Sequence, residues 1–342
     1  MFHPLSSRQV MRRKSSPARN KNQNQRLSGQ LASYHLAASI TREASRQTYY
    51  TIRYLVDRAL VADAYRAYAY FRWVDDKLDQ GVLTQAERLA FLHRQQEIVA
   101  CCCQGERPYH LNLCPEENMV ADLIAHNPTD NSGLLTYINQ MMAVMMFDAN
   151  RQGRCISQAE LVDYTRCLAT AVTEALHYFI GHNCASPKGD MRYVAVTGAH
   201  ITHMLRDAIE DTAVGYYNIP QEFSDAYDLD LNDVQHAAYR TWVQQRVQLA
   251  RHYFALGRTC LAQVESLRCR LAGYAYIARF EVVLDAIVKD GCQLRAAYPE
   301  RKSKQAGLQI GLATLRQTLA SSLPTGRRIP MTDIVPSLEM TK

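Results

Sequence analysis

Apolar residues recur at three- and four-residue intervals along most of this chain, and nowhere do they alternate as they would in a half-buried strand. Thr41 to Asp79 runs without Gly or Pro, and comparable helical stretches cover about 84–103, 134–151, 158–181, 190–213, 232–266, 273–291 and 303–321. The breaks carry ordinary loop chemistry: 105–115, NPTDNSG at 127–133, SPKGD at 186–190 and NIPQEF at 218–223. No internal repeat is present. The pattern predicts one all-α domain over residues 31–325, with a disordered N-terminal tail (1–30) and a C-terminal tail (326–342).

Composition sharpens this picture at three points. The formal charge of +6 is misleading, because residues 1–30 hold seven Lys or Arg and no acid, which leaves −1 for the remainder. A nearly neutral body argues against a nucleic-acid-binding fold, where cations would line a face of the domain. The acid-free tail suits a disordered segment, an organelle transit peptide or docking to anionic lipid. The ten cysteines include the run Cys101, Cys102, Cys103 but no CxxC pair, so reduced thiols in a cytoplasmic protein are expected. No run of about eighteen uncharged apolar residues occurs, so any membrane contact should be peripheral.

The candidate chemistry sits in two aspartate clusters. Asp75 and Asp79 in RWVDDKLD, and Asp207 and Asp211 in MLRDAIED, are four apart and share a helix face, with Asp76 and Glu210 adding charge. Such pairs cost an exposed helix roughly 0.2–0.5 kcal/mol each. Lys77 is off that face, so the repulsion calls for another neutralising group. Mg²⁺, held by one or two carboxylates plus phosphate oxygens, is the expected cofactor. Arg72 and Arg206 fall beside the clusters and could fork phosphate oxygens, so each motif reads as a diphosphate site. His177, His182, His200 and His203 lack the partners of a zinc signature. The run Met141, Met142, Met145, Met146 reads as helix core or as the lining of a chain tunnel.

These motifs, in this order and helical setting, resemble the squalene and phytoene synthases. SRQTYY (45–50) is similar to that family's substrate-binding Ser-Arg-x-Phe-Tyr element, which would assign Ser45, Thr48 and Tyr49 to substrate. YAYFRWVDDKLD resembles the first signature through Tyr68, Arg72, Asp75, Asp76 and Asp79, and RDAIEDTAVGYYNIP resembles the second. Tyr164 stands where the central-helix tyrosine is expected. The departures fall inside the signatures. Thr170 and Thr173 replace glycines, His200 and His203 replace Gln and Asn, Tyr216 follows Gly215 in place of Arg, and Phe280 replaces Tyr.

The resemblance implies a helical isoprenoid-synthase bundle around a central cavity. It implies metal ligands Asp75, Asp76, Asp79, Asp207, Glu210 and Asp211, and a catalytic set of Arg72, Asp75, Asp79, Tyr164, Asp207 and Asp211. Tyr68, Arg72, His200, His203, Arg206 and Phe280 join the substrate-binding set. The implied reaction joins two C15 or C20 prenyl diphosphates head to head through a cyclopropylcarbinyl diphosphate. Two alternatives are a cyclase-like enzyme acting on one prenyl diphosphate and a non-catalytic assembly factor. NADPH use, substrate length and oligomeric state are left open by the sequence.

Overall fold

The computed structural model describes residues 17–79, 83–127, 132–182 and 184–322. Twelve α-helices account for most of them: α1 (Pro17–Ala44), α2 (Arg46–Leu55), α3 (Val61–Leu78), α4 (Gln85–Cys103), α5 (Pro115–His126), α6 (Gly133–Arg151), α7 (Gln158–Phe179), α8 (Val194–Ala213), α9 (Gln221–Ala226), α10 (Ala237–Leu261), α11 (Leu267–Lys289) and α12 (Lys304–Ser322). Among the described residues there is no strand, only an isolated bridge between Ile156 and Pro220. The all-α expectation is met.

Several boundaries differ from the sequence pattern: α5 (Pro115–His126) falls outside the expected helices, and α10 and α11 are displaced from 232–266 and 273–291. The expected helix over 41–79 is three helices. Ser45 accepts the Thr48 amide on its hydroxyl at 3.2 Å, capping α2, and Asp57 is drawn out of the helix by partners distant in sequence. α1 begins at Pro17, so residues 17–30 of the expected disordered tail are helical. Pro at the first helical position and a Gln-, Lys- and Arg-containing sequence suit that start, and the helix continues into the buried Ser33, Ala37 and Thr41. Residues 1–16 and the C-terminal tail lie outside the described residues.

The chain groups into two compact units. The first comprises Met1–Tyr50, Ala62–Asp79 and Arg94–Pro128. Its organising element is α3, whose alanines leave room for the fully buried Tyr65 and Tyr70. Two polar clusters are embedded in it, and each buried charge has partners. Arg66 donates to Asp63 (2.8 Å), Ser33 (3.0 Å) and the Gln30 carbonyl (2.9 Å), while His126 lies 3.1 Å from the same Asp63. Glu117 takes a bidentate pair from Arg94 (both 2.8 Å) and a bond from Gln95, whose amide oxygen accepts from Tyr70.

The second unit comprises Thr51–Val61, Gln80–His93 and Thr129–Lys342. α8 packs against α7, α10 and α11. Val243, Phe254, Ile277, Leu284 and Ile287 form the core of this packing. Where α8 crosses α10, a Cβ on Gly198 would stand 3.0 Å from the Ala250 carbonyl and one on Gly257 2.6 Å from the Ala195 side chain. Glycine at these positions lets the two backbones approach closely. Caps fix where the helices start: Ser157 and Glu160 form a reciprocal capping box on α7, and Ser132 and Ser266 cap α6 and α11.

Candidate functional site

The first aspartate motif closes α3. Arg72 reaches Asp75 at 3.2 Å and also bonds Asp76, so the expected repulsion is partly met within the helix. Burial lowers the arginine's pKa, but the bond to Asp76 and the charge of Asp75 outweigh it and raise it overall. Asp76 and Asp79 are exposed and Asp75 is half-buried. Ser45, Thr48 and Tyr49 do local work: Ser45 holds both the amide and the hydroxyl of Thr48, and the Tyr49 carbonyl accepts from Tyr65 at 3.1 Å. All three residues are half-buried, with Arg42 stacked 5.9 Å above Tyr49.

The second motif occupies the last turns of α8. Asp207 receives Arg206 (Nε to Oδ1, 2.5 Å) and His203 (Nε2 to Oδ2, 3.0 Å), as expected for a histidine one turn earlier. Burial alone would raise its pKa, yet these two partners hold the carboxyl well below its ordinary range. Asp211 behaves oppositely. Burial pushes it up to about 7, aided by the Asp207 charge and opposed by a 2.8 Å bond from Asn218. A bound cation would pull that proton off.

A buried chain of polar groups leads away from Asp211. Asn218 accepts from Arg151 at 2.9 Å, Arg151 Nε pairs with Asp148 at 2.7 Å, and Tyr164 donates to the other Asp148 oxygen at 3.0 Å. The Arg151 guanidinium also lies 4.9 Å from the Tyr164 ring and 5.0 Å from that of Tyr216. Tyr216 therefore removes the expected arginine from one position while Arg151 places a cation against its ring. Gly215 makes the turn possible: its φ is +86°, its carbonyl accepts the Gly153 amide at 2.8 Å, and a Cβ there would sit 3.2 Å from that nitrogen.

His200 is buried beside this chain, its ring 5.1 Å from that of Tyr164, and neither ring nitrogen has a hydrogen-bond partner among the described residues. Burial, with the charges of His203 and Arg151, lowers its pKa to about 3, so the imidazole is neutral. Phe280 lies 6.3 Å from His203, ring to ring. Thr173, at a position where the family resemblance calls for glycine, is also buried without a partner for its hydroxyl. It lines a void of about 30 Å³, the space of one water. Met142 and Met145 are core residues.

Beside Asp207 lies a cleft of about 310 Å³ lined by Arg206, Asp207, Glu210, Tyr298, Arg301 and Lys302. Burial, and then the Arg206 charge, lower the Arg301 pKa, opposed by the carboxylates of Asp207 and Glu210. Among the described residues no group of three or more His, Cys, Asp or Glu is gathered to hold a metal. The donor set still fits Mg²⁺, which takes one or two protein carboxylates and completes its shell with phosphate and water. Sequence reasoning missed Asp148, Arg151, Asn218, Arg301 and Lys302. The signal for the first two was an Asp and an Arg three apart, ending the otherwise apolar Met-rich helix.

The family model for squalene/phytoene synthase matches residues 41–306. The chain belongs to the squalene/phytoene synthase family. Among solved structures, a squalene synthase HpnC from Alicyclobacillus acidocaldarius superposes with a TM-score of 0.60 at 19% identity, covering 77% of this chain and 95% of that one. The squalene synthase fold is thus shared. No curated protein matches the chain. The family acts on prenyl diphosphates and is generally Mg²⁺-dependent, and the aspartate motifs described above lie inside the matched span. Among the described residues no helix is long and apolar enough to cross a membrane.

Proposed function

We propose that this protein is an Mg²⁺-dependent prenyltransferase that condenses two C15 or C20 prenyl diphosphates head to head into a squalene- or phytoene-like hydrocarbon. The observation that carries the reading is the second motif. It sets Asp207 and Glu210 on a cleft ringed by Arg206, Arg301 and Lys302, with Asp211, pushed up by burial, one turn further along the same helix. That combination suits a metal-bound diphosphate.

Asp207, Asp211 and Glu210 would hold Mg²⁺ here, and Asp75, Asp76 and Asp79 would do so at the first motif. Bound there, the metal supplies Lewis-acid assistance to departure of diphosphate. Arg206, Arg301 and Lys302 bind the leaving group's remaining oxygens, and Arg72 does so at the first motif. Ionisation leaves an allylic cation, which the double bond of the second prenyl diphosphate attacks. Loss of a proton from the attacking chain closes the three-membered ring to the cyclopropylcarbinyl diphosphate. Departure of its diphosphate gives a cation that rearranges and ends by losing a proton (phytoene-like) or by taking a hydride from a nicotinamide cofactor (squalene-like). Tyr164 holds its ring against the Arg151 guanidinium and the stacked Phe147 and its hydroxyl on Asp148, so it acts by positioning the Asp148–Arg151 pair rather than as a proton donor. Asn218, Arg151 and Asp148 position Asp211. The water-excluded surroundings of Tyr164 and His200 keep solvent from quenching the cation.

Thr173 and Tyr216 favour a second reading, in which one prenyl diphosphate is ionised and cyclised or passed to another acceptor. Incubation with farnesyl or geranylgeranyl diphosphate and Mg²⁺, following diphosphate release and product mass, separates the two. A C30 or C40 product, lost by at least about a hundredfold in rate in Asp207→Asn, supports condensation. A C15 or C20 product selects the second reading. Absence of release from both substrates would leave a non-catalytic role.

A further inference from the structure

The last of the described helices, α12, is turned inside out relative to an ordinary surface helix. Its inward face is small and partly polar: Ala306 and Thr318 are buried, Ile310 and Thr314 are half-buried, and this face packs on α11. Its outward face carries Leu308, Leu312, Leu315 and Leu319, exposed by 64%, 59%, 54% and 60%. Solitary exposed leucines need no explanation, but four in one line on one helix do.

Their spacing is four, three, four. That is the alternation of core positions in a heptad repeat, and it confines the leucines to a stripe about 60° wide. Ile310 and Gln317 fall opposite the stripe, where a heptad places the residue furthest from its partner, and here they face the protein's own interior. The flanks suit close approach by another helix. Gly311 has open space around its Cα, Gln309 is neutral, and between Leu308 and Leu319 the single charge is Arg316. A helix lying on lipid has a broader apolar face edged by several Lys or Arg, which this one lacks.

The spacing also reads the same in both directions about a point midway between Ala313 and Thr314. A second copy related by a two-fold axis through that point would set Leu308 against Leu319 and Leu312 against Leu315, twice each. Arg316 would then share one flank with Gln309 of the other copy, about 7.5 Å along the axis from that copy's Arg316, while Gly311 would face Gly311 on the opposite flank, where the backbones can approach closely. The antiparallel arrangement also brings each helix's positive end beside the other's negative end. We infer that α12 is a self-association surface and that this protein pairs through an antiparallel α12–α12 contact. One helix of 19 residues offers an interface at the small end of the specific range, so the dimer should dissociate at roughly micromolar concentration.

Sedimentation velocity of the full chain from about 1 to 200 μM, spanning that range, tests this. Wild type should shift from monomer to dimer. Leu312→Glu and Leu315→Lys, both at exposed positions and checked for unchanged circular dichroism, should each weaken pairing at least about tenfold. An equimolar mixture of the two should regain it, because only the antiparallel register sets Glu against Lys. A wild type that stays monomeric throughout overturns the inference. So does a dimer that ignores both substitutions, or a mixture that fails to recover. Flotation of a monomeric wild type with phosphatidylglycerol vesicles, abolished by Leu312→Glu, would assign the stripe to lipid instead.

Discussion

Replacing Arg151 by Met tests the buried chain beneath the second aspartate motif. The guanidinium is 6% exposed, and its removal strands Asp148, which is 21% exposed and, among the described residues, keeps the Tyr164 hydroxyl alone. Breaking a buried ion pair by deleting one partner typically costs about 3–5 kcal/mol. The residual exposure of Asp148 places this case near the lower end, at about 3 kcal/mol, and the ring contacts with Tyr164 and Tyr216 keep it from falling further. The Asp148→Asn, Arg151→Met double variant should recover part of that loss, giving a coupling energy of about 1.5–3 kcal/mol. Urea denaturation of all four proteins measures it through midpoints at constant slope. A cost for Arg151→Met below about 1 kcal/mol, or strictly additive single effects, would refute the claim that this pair is held away from water. The same variant should lower turnover, since Asn218 loses the donor that orients it toward Asp211.

Three other outcomes are expected. Glu117 has its pKa held down to about 2: burial works against this, but Arg94, Gln95 and the Cys114 amide prevail. Its contribution to stability is present above about 4.5 and is lost as pH falls toward 2, so Glu117→Gln should flatten the acid limb of a stability–pH curve over that window. Gly215→Ala must place a side chain at φ +86° against the Gly153 amide, and a loss of about 1–3 kcal/mol in chemical denaturation is expected. Arg301→Ser should raise KM for the prenyl diphosphate at least about tenfold while leaving the fold intact; an unchanged KM removes Arg301 from the diphosphate cleft.

Much of this molecule could be read from the residues. Helices with sustained apolar periodicity, such as α6 (Gly133–Arg151) and α12 (Lys304–Ser322), lie within a residue or two of the expected limits. The break around Asp57 could not be read, because it is caused by residues 179, 182 and 268. The short helix α9 (Gln221–Ala226) starts within a stretch read as loop chemistry, NIPQEF, directly after Pro220. At the site, aspartate spacing pointed to the candidate metal motifs and in-phase arginines to their counter-ions. Arg301 and Lys302 escaped notice because tertiary packing, not any local pattern, brings them beside Asp207. The contrast between Asp207 and Asp211 was equally hidden, since spacing makes them equivalent and only burial and neighbours separate them.

Asp57 carries a consequence for how the chain folds. Its amide donates to the Phe179 carbonyl at 2.9 Å, its carboxylate accepts the His182 amide at 2.7 Å, and it also pairs with Arg268, 211 residues onward. A clasp between such distant residues demands a large loss of chain entropy before it returns anything, so it closes late. Native contacts absent from the folding transition state govern unfolding rates rather than folding rates. Asp57→Asn is therefore expected to speed unfolding while leaving the folding rate nearly unchanged, read from the two arms of a denaturant chevron; an equal slowing of folding would place the clasp in the transition state.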